Sequence, residues 1–234
     1  MRYQRAYQHI FEGPNWPTNL LWTSGCALVP LLGWTVLIGY AVEVLESVRR
    51  GGREAQPNFE PLRLQAYLAR GLWPATVQLL AVLPVIVLTV GCFVLINYLL
   101  GDPKHSTFTV RTVASVFAPC LVLLVLLLTM FLLPLTIYTG LGGSGQVSDA
   151  WRFMQSFMRF VGRELFLAQV FLVLTGLCLL VIGAMACLIG LPPALALTTL
   201  AQYHLMAQLY DLYLQRGGLP VTALVETSLT GAPA

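Results

Sequence analysis

The sequence predicts an all-α protein, a polytopic bundle of transmembrane helices with amphipathic helices at the membrane interface. Three observations carry that expectation. Hydrophobic residues fill 57% of 234 positions and charged residues only 10%, against roughly 25% charge in a soluble globular domain. Charges are absent from four windows, Gly13–Val42, Gly71–Leu100, Thr112–Ser148 and Leu165–Tyr210, each longer than the about 20 apolar residues that cross a bilayer as a helix. Runs such as Cys120–Pro134 do not alternate in hydropathy, as the strands of a membrane barrel would.

The elements follow in order. Tyr3, Ala6, Tyr7, Ile10 and Phe11 recur at helical spacing beside Arg2, Arg5 and Gln8, which predicts an interfacial helix over about 3–11. Glu12–Asn15 stops it, and Trp16 suits the interface. The first hydrophobic segment, about 19–42, is interrupted by Pro30 and Gly33 and runs on into a polar end, Glu43–Arg50, before Gly51 and Gly52. After a polar linker, Arg53–Pro61, residues 62–70 read as a second interfacial helix. Trp73 and Pro74 are expected to open the segment 75–100, since proline is tolerated in a helix's first turn, with a kink at Pro84.

The polar connection 101–111 leads to a segment at about 113–139 and a glycine-rich breaker, Leu141–Gly145. From 148 to 163, Trp151, Met154, Phe157, Met158 and Val161 share one helical face, with Arg152, Gln155 and Arg159 opposite. That pattern predicts a third interfacial helix, or a packed element that covers neighbouring helices. Segment 165–189 holds Gly176, Gly183, Ala184 and Ala186, small enough for close helix contact. Gly190–Pro193 is a turn, and segment 194–214 carries Gln202, His204 and Gln208. One membrane domain is expected over 1–218, with a tail over 219–234. Each half has an amphipathic helix feeding a long span, a pattern that an internal repeat or chance recurrence would produce.

Positive charge sets the topology. It clusters at Arg2 and Arg5, at 49–70, at 152–163 and at Arg216. The rule places 49–70, 148–163 and 216 in the cytoplasm, so segments 75–100, 113–139, 165–189 and 194–214 run out, back, out and back. The first segment is ambiguous. A kinked, complete span puts Arg2 and Arg5 outside, whereas a re-entrant hairpin turning at Pro30–Gly33 keeps both ends inside. Met1–Trp16 has no apolar h-region, and no small-residue cleavage site follows the first apolar run, so that run is expected to be retained.

The opening Phe11–Trp16, the break Val29–Gly33, the run Ile38–Leu45 leading to Arg49–Gly51, the proline-containing linker and the helix Trp151–Phe160 before a final pair of spans resemble the DUF4013 family of uncharacterised bacterial and archaeal membrane proteins. The resemblance covers roughly residues 5–215. It implies a multi-pass protein of the prokaryotic cytoplasmic (inner) membrane and transfers no catalytic residue. Where that family usually has an acidic, tryptophan-containing linker, this chain has Gln56–Phe59.

The chemistry-bearing residues are few. Glu46 and Arg50 are spaced for an ordinary i,i+4 ion pair; the alternative is an ion site using Glu43 at the end of a half-helix. His204, near Gln202, Tyr203 and Gln208, suits hydrogen bonding inside the bundle or a place on a pathway. No His, Cys, Asp or Glu set has metal-site spacing, and the five cysteines, all in apolar runs, read as buried small side chains. Gly140–Gly145 lacks the lysine of a phosphate loop, and no G-x-S-x-G nucleophile motif is present. No catalytic, cofactor-binding or metal residue is therefore assigned, and no cofactor is implied. Pro30, Gly33, Glu43 and His204 are the candidate polar or break sites; Trp151, Met154, Phe157 and Met158 are the candidate docking residues. A net charge of +3 is too small to indicate nucleic acid. The expected partners are the lipid bilayer and either another membrane protein or further copies of this chain. The expected function is a non-catalytic scaffold or accessory subunit of a membrane complex. A small transporter or channel-like protein is the alternative, and a lipid-acting enzyme would lack a nucleophile–base pair.

Overall fold

The computed structural model describes residues 3–49, 56–100, 120, 124, 128, 130–143, 146–186 and 188–222, and every element among them is helical. In chain order these are α1 (Arg5–Glu12), α2 (Trp16–Leu28), α3 (Leu32–Arg49), a 3-10 turn (Pro61–Arg63), α4 (Leu64–Leu100), α5 (Met130–Gly140), α6 (Val147–Met185) and α7 (Leu191–Gln215). The connection 101–111, most of segment 113–139, Arg50 and most of the tail lie outside the described residues.

The first hydrophobic segment is two helices folded back on each other. Asn19 near the start of α2 and Tyr40 within α3 both donate hydrogen bonds to the carbonyl of Pro57, at 3.4 and 2.6 Å. In one continuous helix those residues would stand about 31 Å apart, at ~1.5 Å per residue. The chain reverses at Val29, Pro30 and Leu31. Val29 is extended, and Leu31 takes a left-handed conformation with φ of 61°. That conformation costs an L-residue with a side chain roughly 1–2 kcal/mol. Gly33 opens the return limb because a Cβ there would run into the Cys26 carbonyl.

Two other expected boundaries also differ. Residues 62–70 and 75–100 form one helix: α4 starts at Leu64 and passes through both Pro74 and Pro84. Pro74 is therefore an interior residue rather than a first-turn one, and its ring lies beside Gly140 of α5. Residues 148–163 and most of the segment 165–189 likewise belong to α6, which ends at Met185 and departs from helical geometry at Val161 (φ −133°, ψ 15°). The amphipathic and apolar stretches thus meet at a kink rather than at a loop.

Glycines let the helices touch backbone to backbone. A Cβ on Gly39 of α3 would strike the Tyr67 carbonyl of α4, and one on Gly71 would strike the Thr35 carbonyl. At the α6–α7 crossing Gly183 faces Gly190, and Gly176 faces Thr198. α7 packs against α1, α2, α3 and α6 and is the axis of the bundle. Tyr203, Tyr210 and Tyr213 on it are buried.

The periphery is apolar instead. Leu79, Leu83 and Val87 of α4 and Leu177, Val181 and Ile182 of α6 are exposed. Among the described residues, α6 is the one helix long and apolar enough to cross a membrane.

Gly39→Ala is expected to destabilise the protein by about 1–3 kcal/mol through overpacking, because the obstructing atoms are backbone. Gly91→Ala, where a Cβ meets nothing, is the control. Thermal unfolding of both variants in detergent checks this, and equal midpoints would refute the α3–α4 contact.

Candidate functional site

Among the described residues, three polar clusters gather side chains at and around the candidate sites, and each begins from a short stretch of sequence. The first closes the α2–α3 hairpin on residues 56–59. Asn19 uses both ends of its amide: Oδ1 accepts the Phe59 N–H at 2.8 Å, and Nδ2 donates to Pro57. The Gln56 amide donates to the Tyr40 hydroxyl at 2.9 Å. The rings of Tyr40, Phe59 and Tyr67 pack around these bonds with centroids 5.1 to 5.8 Å apart, and Trp22 stacks on Phe59. This collar was missed in the sequence. Its only local signal is a set of isolated amides in apolar surroundings, and nothing in their spacing pairs Asn19 with Phe59 across 40 positions.

The second cluster surrounds Glu43. Its carboxylate lies 3.1 Å from Arg63 and 3.6 Å from Arg70, and Arg70 also reaches Glu46 at 3.8 Å. Arg63 additionally lies over the Tyr67 ring. The neighbouring Glu43 charge pushes the Arg63 guanidinium further above its already high range. Glu43 is thus neutralised by two arginines of the following segment and ties α3 to the start of α4. The Glu46–Arg50 pair falls outside the described residues.

The third cluster joins α1 to α7. His9 and His204 are both 5% exposed, with ring centroids 4.7 Å apart. His9 Nδ1 lies 3.6 Å from the Glu12 carboxylate, while His9 Nε2 and His204 Nδ1 are buried without a hydrogen-bond partner among the described residues. Also on α1, the Tyr7 hydroxyl meets that of Thr175 of α6 at 2.8 Å. Burial lowers the His9 pKa; Glu12 partly opposes this and Arg5 adds to it. Two adjacent buried imidazoles favour the neutral state, because each cation would lose hydration and repel the other.

The remaining candidates separate. Pro30 and Gly33 form the hairpin break, remote in sequence from His204. Of the docking stripe, Met154 and Phe157 lie in the chain's own core, Phe157 against Phe153 and Tyr213. Met158 is half-buried, and Trp151 is 56% exposed. The buried face runs through Phe153 rather than Trp151. Among the described residues, no group of three or more His, Cys, Asp or Glu side chains could hold a metal ion.

A family model described as "Protein of unknown function (DUF4013)" matches residues 23–189, which include the hairpin break, Glu43 and the Trp151–Met158 face but not His204. No curated protein and no solved structure matches the chain.

Asn19→Ala leaves the buried Phe59 N–H without its acceptor, and about 1–3 kcal/mol of stability should be lost. Denaturation in detergent measures this, and a change within error would show the collar to be dispensable. His9 gives a pH dependence of definite sign. Its folded pKa lies below the ordinary value near 6.5, so the undocked helix binds more protons as pH falls. Docking of α1 is then strongest above that value and weakens as pH drops through and below it. Hydrogen-exchange protection of residues 5–12 should decline from about pH 7 to pH 5, less so in His9→Phe. Equal pH profiles for the two proteins would exclude His9 as the cause.

Proposed function

The chain belongs to the DUF4013 family, and we propose that it is a non-catalytic, multi-pass protein of the prokaryotic cytoplasmic membrane, acting as a scaffold or accessory subunit of a membrane complex. The observation that carries this reading is the disposition of its polar side chains. Glu43, Asn19, Gln56 and Glu164 are engaged in contacts between the chain's own elements, while the flanks of α4 and α6 present leucine, valine and isoleucine. α4 supports a second crossing: its part from Gly71 to Leu100 carries no charge and would extend about 44 Å as a helix.

Docking falls to the outer side of α6. Met154 and Phe157 fix that helix to the bundle, so the surface open to a partner is Trp151 with Val147, exposed at 56% and 84%. Exposed tryptophan is a residue type that often anchors interfaces. A transporter is the second reading, favoured by the unpartnered nitrogens of the His9–His204 pair, because unsatisfied buried groups suit a transient proton or ligand.

Gentle purification from the native membrane, with identification of whatever accompanies the chain, decides between them. A membrane protein that co-purifies and is lost on Trp151→Ala is expected. Recovery only as a free homo-oligomer that carries substrate flux in liposomes would replace the scaffold reading with the transporter.

A further inference from the structure

The α2–α3 hairpin has a tip built for hydrocarbon and a base built for the membrane surface. We propose that it is a re-entrant wedge seated in one leaflet, its tip at Leu28–Leu32 among lipid acyl chains and both its ends on the same face of the membrane. This rests on the membrane reading above and adds a site of lipid contact and a topology to it.

Three independent features support it. Leu28, Val29, Leu31 and Leu32 are 50% to 69% exposed, and no polar side chain accompanies them at the tip. Leu31 holds a left-handed conformation, which a turn facing water fills with glycine, asparagine or aspartate. Leucine is kept there because its side chain gains by leaving water. The other non-glycine residue with positive φ among those described is Leu188, also an exposed leucine, in the apolar turn between α6 and α7.

Part of the backbone at the break is paired within the hairpin, which lessens the cost of placing it in a medium without water. Val29 N–H donates to the Cys26 carbonyl and Leu32 N–H to the Pro30 carbonyl. The Leu31 carbonyl accepts both the N–H and the hydroxyl of Thr35. Pro30 has no N–H to satisfy. Thr23 and Ser24 return their hydroxyls to carbonyls of their own helix.

Length and polarity set the orientation. α2 has 13 residues and extends about 20 Å, short of the ~30 Å hydrocarbon core. Its base carries Trp16, the Asn15–Asn58 bond and the Asn19 collar. With the hairpin closed on Pro57, the flanking positives Arg5 and Arg49 fall on one side, which removes the conflict with the positive-inside rule. Acyl chains are the occupant the tip fits, since it offers a protein no hydrogen-bonding or charged side chain.

The test uses the full chain, with its five native cysteines replaced by alanine, in sealed vesicles of phosphatidylethanolamine and phosphatidylglycerol. Gln4→Cys and Glu60→Cys, both exposed, should react with an impermeant maleimide from the same face. A fluorophore on Leu32→Cys should be quenched by lipids spin-labelled along their acyl chains. Leu31→Asn, which relieves the backbone, should lower the unfolding midpoint in vesicles. Labelling of Gln4→Cys and Glu60→Cys from opposite faces, an unquenched tip, or a raised midpoint for Leu31→Asn would each overturn the wedge. If alkaline carbonate strips the protein from the vesicles, the membrane reading itself fails; carbonate-resistant protein with opposite labelling overturns the wedge alone.

Discussion

The Pro57 carbonyl, shared by Asn19 and Tyr40, is the interaction from which the arrangement of the first half follows. It fixes two apolar limbs to one short polar segment and so forces the reversal at Pro30. Once that reversal exists, α2 and α3 both lie against α7, and the residues after Pro57 are delivered to the start of α4. The Pro57 carbonyl is half-buried and Asn19 is buried, so leaving either without partners would cost stability. Amide, hydroxyl and carbonyl are therefore mutually dependent.

Close packing is achieved by omitting side chains rather than by interlocking large ones. Gly39 and Gly71 bring α3 and α4 into backbone contact, and Gly183 and Gly190 do the same for α6 and α7. In the proposed membrane setting the hydrophobic effect gives helices little reason to associate, and close van der Waals approach becomes the main source of cohesion. Large aromatic side chains cluster in the Tyr40–Phe59–Tyr67 collar beside the α3–α4 contact and around α7, where Phe153, Phe157, Tyr210 and Tyr213 form a continuous group. Arg49 caps that group by stacking on Tyr210, and Arg216 joins α7 to Glu164 of α6. The charged residues thus act as ties at the edge of an apolar body.

The sequence was legible where one element's own composition decides the outcome. Helical character follows from uninterrupted apolar runs, and α1 follows from the spacing of Tyr3, Ala6, Tyr7 and Ile10. The burial of His204 could be anticipated from its place in an apolar run. Its partner could not, because His9 lies 195 positions away and no periodicity links them. Pro74 misled for a related reason: proline usually marks a helix start or a break, yet here it lies inside α4 with its ring beside Gly140 of α5. Met154 and Phe157 were legible as an apolar face, but which surface that face would meet was not.

By itself, then, the sequence determined an all-helical chain, the places where helices weaken, and the scarcity of groups fit for catalysis. Those properties depend on local composition and period. The break at Pro30–Gly33 was visible, but its meaning was not, since a kinked span and a hairpin have the same local chemistry. Tertiary structure decided it through Asn19, Tyr40 and Pro57, residues whose hydrogen bonds exist only when both limbs return to one place. A local signal can mark where a chain bends; only a long-range contact fixes how far.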